Sequence, residues 1–439
     1  MRLKSISSAA LTILILTCPG FARAQIKMEI VGPGSKLSVL AVSPLHDLGG
    51  DDEHTLSSEF VDILSRDLKL SGYFRIIDPR SYIEDAQASG YQLGKFNFAD
   101  WTSLNAEFLV KGAIQVDGSK VSLEAYLFDV AQQRQDTGKR FRGDRHDVAR
   151  MARRFADAVI ESLTGRRGPF DSRLAFASTR GGRFKEIYTM SVDGQDLFKV
   201  TNNPTINISP SFGGYGRDLL YTSYKTGAPA LYLADLAQQR ETRVHSGLGQ
   251  MIGGALTPDG ERVVAAVERE GVTNLYLLDR SGELISALTQ GRSINVSPAV
   301  SADGQKLAFT SDRSGGPQIY VMSISGGAAK RITYQGDYNT NPAFSPVGDR
   351  IAYQSRNHGI FDIFTISLSG GDPVNLTKGT ISAQHPCWSP DGRYIIFSGG
   401  REGAARLYLM MVESGKIISA LSEEDSNDTS PAWSWWLGQ

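Results

Sequence analysis

Cysteine is almost missing from this sequence. The two in 439 residues are Cys18 and Cys387, and Cys18 falls in an export-leader-like run, so neither an intramolecular disulfide nor a cysteine-based zinc cluster can be assembled from the remainder. Long hydrophobic runs are missing as well. After the stretch from Ala9 to Cys18, no segment approaches the ~20 apolar residues of a membrane-spanning helix. Neither sign of charge dominates, with 46 Lys and Arg against 47 Asp and Glu, which excludes the basic footprint of a nucleic-acid binder and a polybasic membrane anchor. The motifs of several enzyme classes are absent too: G-x-S-x-G, G-x-x-x-x-G-K-[ST], the paired-glycine dinucleotide fingerprint and H-E-x-x-H. Such a chain must derive its stability from packing.

Arg2 and Lys4 precede the apolar run, and "ARA" at 22–24 offers a small-x-small cleavage site, so residues 1–24 read as a secretory signal peptide. Thr17 and Pro19 flank Cys18 poorly for lipid attachment. An exported chain is expected, and its length exceeds the ~250–300 residues at which one core divides, which predicts two domains.

What is present in abundance is repetition. "SPDGRYIIFSGG" begins at Ser389, "SPVGDRIAYQSR" at Ser345, "SADGQKLAFTSD" at Ser301, "TPDGERVVAAVE" at Thr257 and the worn "GGYGRDLLYTSY" at Gly213, a constant step of 44. With a unit starting near Pro169, the common order is turn, apolar run, loop, second apolar run, Gly-containing turn, short strand, then x-Pro-x-aromatic. The twentieth position carries Tyr188, Tyr232, Tyr276, Tyr320, Phe364 and Tyr408 inside period-two alternation, the mark of half-buried strands. Four short strands every ~40–45 residues read as propeller blades. The first unit lacks an x-Pro-x-aromatic strand before it, and "TSPAWSW" at 429–435 has no unit after it. The C-terminal strand is therefore expected to close the first of six blades, removing two open edges. "GGYG" and "MIGGAL" (251–256) depart from the pattern and read as drift within the ring.

Residues 37–165 show no repeat and alternate strand and helix patterns. "KLSVLAVSPL" reads as a buried strand and "TLSSEFVDILSRDLKLSG" as an amphipathic helix ended by Gly72. "FRII" is a further strand, "AEFLVKGAIQVDG" and "KVSLEAYLFDV" form a hairpin, and "HDVARMARRFADAVIESLTG" is a helix capped by Gly165. An α/β domain (37–165) followed by an all-β propeller (166–439) is expected. Ahead of both, "QIKMEIVGPGSK" (25–36) alternates Ile26, Met28 and Ile30 with Lys27 and Glu29. This suits a flexible tail able to add as a strand to a partner's sheet or an edge strand of its own domain.

The slots before each inner-strand proline are polar: Asn207 and Ser209, Asn295 and Ser297, Asn339 and Asn341, His385, then Asp428 and Ser430. The loop between second and third strands adds Arg180, Glu268, Arg313, Arg356 and Arg401. This predicts a polar funnel at the channel mouth for a partner's loop or a small anion, although loop capping by Asn and Ser would give the same pattern. One carboxylate among these slots, Asp428, is too few for a strong calcium site. The six histidines are scattered. Only His358 and His385 have a reason to approach one another, and an alternative reading makes the chain a secreted carbohydrate-active lyase using them with a metal.

"VARMARRFADAVIESLTGRRGPFDSRLAFAST", "LEAYLFDVAQQRQ", the "SPDG…IYVMS" units and the closing "SPAWSWWLGQ" resemble the TolB family of the Tol-Pal system. The resemblance implies an α/β domain plus a six-bladed propeller, no enzymatic activity, no cofactor or metal, and a monomer in the periplasm. It also implies a role in outer-membrane integrity and constriction at division. By the same resemblance the propeller mouth would bind the lipoprotein Pal through Asn207, Ser209, Glu268, Asn295, Ser297, Arg313, Asn339, Asn341, Arg356, His385 and Asp428. The tail residues Gln25, Ile26, Lys27, Met28, Glu29 and Ile30 would engage TolA of the inner-membrane complex.

Overall fold

The computed structural model describes residues 37–438 apart from positions 52, 181, 358, 402 and 425. The expected leader, the tail 25–36 and His358 lie outside the described residues.

The apolar run after Leu37 forms the strand Ser38–Val42, buried at all five positions. It pairs in parallel with Phe74–Ile76 on one side and Phe108–Asp117 on the other, so it sits inside the sheet, as a run without alternation requires. Phe108–Asp117 turns through Gly118, at φ 58°, into Lys120–Asp129, and that strand pairs with Arg134–Asp144 at the sheet edge. The edge strand was not expected, because "RQDTGKRFRGD" is charged and lacks apolar alternation. A short helix, α2 (Phe98–Thr102), was also missed. The two long helices, α1 (Thr55–Leu70) and α3 (Val148–Thr164), pack together with Phe60 against Phe155, ring centroids 6.3 Å apart. Gly165 ends α3 at φ 74°, donating its N–H to the Glu161 carbonyl at 2.8 Å, the left-handed cap that glycine adopts without a Cβ penalty.

Six four-stranded antiparallel sheets follow among the described residues. Blade 1 consists of Arg173–Ser178, Glu186–Ser191 and Phe198–Lys199, and its inner strand is Thr429–Trp433, from the far end of the chain. The inner strands of blades 2 to 6 are Asn207–Gly213, Gln250–Leu256, Asn295–Val300, Asn339–Phe344 and Ala383–Trp388. Both departures from the repeat remain within the ring. Gly254 of "MIGGAL" is required by packing, since a Cβ there would meet Leu231 Cδ1 at 2.9 Å and the Val264 carbonyl oxygen at 3.0 Å.

In five of the six units the recurrent aromatic finds a ring partner inside its own blade. Tyr188, Tyr232, Tyr320, Phe364 and Tyr408 stack across the strand pair on Phe176, Tyr221, Phe309, Tyr353 and Phe397, at 5.6 to 6.0 Å between centroids. In blade 3 the residue opposite Tyr276 is Ala265.

One apolar core runs through both domains. Leu68, Phe155 and Val159 share it with Phe170, Leu174, Met190, Ile396 and Trp433. Polar contacts fasten the same joint. The Arg393 guanidinium donates to Thr164 Oγ1 at 3.0 Å and to the carbonyls of Arg166 and Arg167 at 2.5 and 2.9 Å, and Trp436 Nε1 donates to the Gly168 carbonyl at 2.7 Å.

Candidate functional site: the neck of the propeller channel

Four of the six inner strands have a polar residue sealed in the wall at or just before their start. Asn207, Asn295, Asn339 and Asp428 are fully buried. The three asparagines staple their strand to the third strand of the preceding blade or the loop after it: Asn207 Nδ2 donates to Glu186 Oε2 at 2.9 Å, Asn295 Nδ2 to the Thr273 carbonyl at 3.1 Å and Asn339 Nδ2 to Gln318 Oε1 at 2.9 Å. Asp428 pairs with Arg180. These four were expected to face a partner at the mouth, but their polar atoms are largely committed to the scaffold. Of the charged residues predicted for the loops, Glu268, Arg313 and Arg356 are also engaged within the chain. Glu268 accepts from the Gly271 N–H at 2.8 Å. Arg313 donates to Asn295 Oδ1 at 2.7 Å over the Tyr320 ring, and Arg356 lies over Tyr338, 4.9 Å from the ring centroid.

Two residues further along, the chain does something else. Ser209, Ser297, Asn341, His385 and Ser430 all have φ between 50° and 54°, although each precedes a proline, which pushes its neighbour toward extended backbone. A non-glycine residue held in the left-handed region costs on the order of 1–3 kcal/mol. Every inner strand carries a register shift at this point, a bulge that re-aims a side chain. The result is that these five residues turn into the channel and form its neck.

Neighbouring blades hold the neck in place. The backbone N–H groups of Asn341, His385 and Ser430 donate to Thr310 Oγ1 (3.2 Å), Gln354 Oε1 (2.9 Å) and Ser398 Oγ (3.2 Å), each on the preceding blade. Ser297 Oγ donates to Asn341 Oδ1 at 2.7 Å, and Asn341 Nδ2 to Gln354 Oε1 at 3.1 Å. His385 Nδ1 has no hydrogen-bond partner among the described residues. Burial, and secondarily the charge of Lys185, push the His385 pKa down to about 4, so the ring is neutral at physiological pH.

From the neck a cavity of about 380 Å³ extends toward the turns at the other end of the inner strands, lined by prolines such as Pro210, Pro298 and Pro386 and by Trp388, Trp433 and Trp435. Of the residues predicted from sequence, Ser209, Ser297, Asn341, His385 and Ser430 line it. The tryptophans were not anticipated as lining, although their place after the inner-strand proline was visible in the repeat. No metal cluster includes His385: among the described residues, only Asp144, His146 and Asp147 bring three such groups together, on the turn before α3. There, Asp147 accepts from the Asp144 N–H at 2.8 Å, a bond within the 3-10 turn Arg145–Asp147 that precedes α3.

The family model described as "TolB beta propeller domain" matches residues 160–437, and that described as "TolB amino-terminal domain" matches residues 26–136. The chain belongs to the TolB family. Among curated TolB relatives, the Tol-Pal system protein TolB of Syntrophotalea carbinolica is 38% identical over 210 residues, which is 48% of this chain and 49% of that protein. The TolB of Desulfosudis oleivorans is 36% identical over 223 residues, 51% and 50% of the two chains. The chain thus spans about half the length of the curated relatives it matches. The crystal structure of TolB from Acinetobacter baumannii aligns with a TM-score of 0.76 over 93% of this chain and 100% of that one at 22% identity, which establishes the shared two-domain TolB fold. No helix among the described residues is long and apolar enough to cross a membrane.

Proposed function

We propose that this TolB-family chain is a non-enzymatic, periplasmic adaptor of a Tol-Pal system. In this reading it receives the lipoprotein Pal in the propeller channel and presents its tail, Gln25 to Ile30, to TolA. It thereby supports outer-membrane integrity and constriction at division. The observation that carries the reading is the neck. Strain is concentrated in five pre-proline residues around one cavity, and such strain persists only where the surrounding structure over-determines it, commonly at binding sites. The wall is mostly apolar and aromatic with a few fixed polar groups, the make-up of a site for a protruding loop. Contact is assigned to Ser209, Ser297, Asn341 and His385, and a supporting role to Asn207, Asn295, Asn339, Asp428 and Arg313.

Calorimetric titration of the chain with the soluble domain of Pal from the same organism tests this. Saturable one-to-one binding is expected, weakened by His385→Ala and Asn341→Ala. Absence of heat at high micromolar concentration overturns the reading.

A further inference from the structure

Asp67 lies in the last turns of α1 at the joint between the domains. It is fully buried, and neither of its carboxylate oxygens has a hydrogen-bond partner among the described residues. The charged groups around it come from three elements. On α1 itself, Arg66 Nε binds Asp193 Oδ2 at 3.1 Å, and Glu59 lies close enough to feel Asp196 and Arg153. On α3, Arg153 reaches Asp196 Oδ2 at 2.7 Å and Asp193 Oδ1 at 3.7 Å, while Asp157 accepts from the Phe170 N–H at 2.7 Å and from Arg167 Nε at 3.1 Å. From the blade 1 turn comes Asp193, whose side chain is also fully buried and accepts from Ser191 Oγ at 2.5 Å.

Both nearby arginines are therefore already engaged by other carboxylates. An ionised Asp67 would be a buried charge beside Asp193 and Asp157 with no hydrogen bond of its own, an arrangement that low-dielectric surroundings penalise heavily. The neutral acid is the species that fits. Burial first, and Asp193 second, push its pKa well above the ordinary carboxylate value, against the opposing pull of Arg153 and Arg66.

We propose that Asp67 is a proton-operated latch of the interdomain joint: protonated, it lets α1 seat against blade 1, and on losing its proton it loosens that seat. The sign follows from linkage. The docked state holds the proton more tightly than the undocked one, so docking weakens as pH rises from the ordinary carboxylate range toward the raised pKa and strengthens as pH falls back through that same window. Domain coupling in this protein would then respond to the acidity of its compartment.

The test uses the full chain and its Asp67→Asn variant, which has the shape of the protonated acid. Hydrogen exchange of 59–70 and 190–196, corrected for the intrinsic pH dependence, is followed from acidic to mildly alkaline pH. Wild type is expected to lose protection by up to about tenfold per pH unit, the limit for one proton, and Asp67→Asn to show a flat profile. In parallel, the infrared carbonyl band of a protonated carboxylic acid should be present in wild type on the acidic side of this profile and lose the Asp67 contribution in the variant. Identical exchange profiles, or a carboxylic-acid band unchanged by the substitution, would overturn the proposal.

Discussion

The Tyr394 hydroxyl donates to the backbone carbonyl of Ser71 at 2.8 Å, across 323 positions of sequence. Ser71 ends α1 and Tyr394 opens the second strand of blade 6, so one phenol satisfies a helix-end carbonyl that the joint between the domains has sealed from water. Tyr394→Phe keeps the ring and removes the donor. Leaving a buried carbonyl unpaired costs about 1–3 kcal/mol, so urea unfolding should show a lower midpoint with an unchanged slope.

Arg180 and Asp428 make a second long-range pair, with the Asp428 side chain at 0% exposure. Arg180→Ala strands that carboxylate, and breaking such a buried pair costs roughly 3–5 kcal/mol. A large drop in Tm is expected, and the double change Arg180→Ala with Asp428→Asn should recover part of it.

The recurrent aromatics are not equivalent. Tyr320 stacks on Phe309 at 5.9 Å and is 5% exposed, so Tyr320→Ala should cost about 3–5 kcal/mol. Tyr276 faces Ala265 and lacks the pair term of about 0.5–1.5 kcal/mol, so Tyr276→Ala should cost less. Chemical denaturation of the two variants side by side checks the order.

His385 should make stability depend on pH. Its folded pKa of about 4 lies below its ordinary 6.5, so the unfolded chain takes up a proton first. The stability is present above the unfolded value and declines as pH falls from 6.5 to about 4. His385→Gln should lose less stability across that window, as read from Tm against pH.

The blades were legible because their 44-residue step exposes each strand separately, and closure followed from the unmatched "TSPAWSW". The neck was legible in part. The polar slots at inner-strand starts looked alike, but the bulge sends Ser209 into the channel and leaves Asn207 inside the wall, and alternation alone does not announce a bulge. Thr201, Thr289, Thr333 and Thr377 recur in register with the blades, and their hydroxyls accept from the N–H groups of Ile187, Leu275, Ile319 and Ile363 at 2.9 to 3.1 Å. That recurrence was visible in the sequence but its purpose was not. The meeting of Asp67 with Asp193 was not readable at all, because nothing local to either residue records how two domains dock.

The inner strand of blade 1 is the last strand of the chain. During synthesis, blades 2 to 6 can pair as they emerge, whereas the first blade must wait, its edge at Arg173–Ser178 unmatched, until Thr429–Trp433 arrives. The ring is therefore a checkpoint on completeness: a product cut short anywhere before its final strand keeps an open sheet edge that marks it as unfinished.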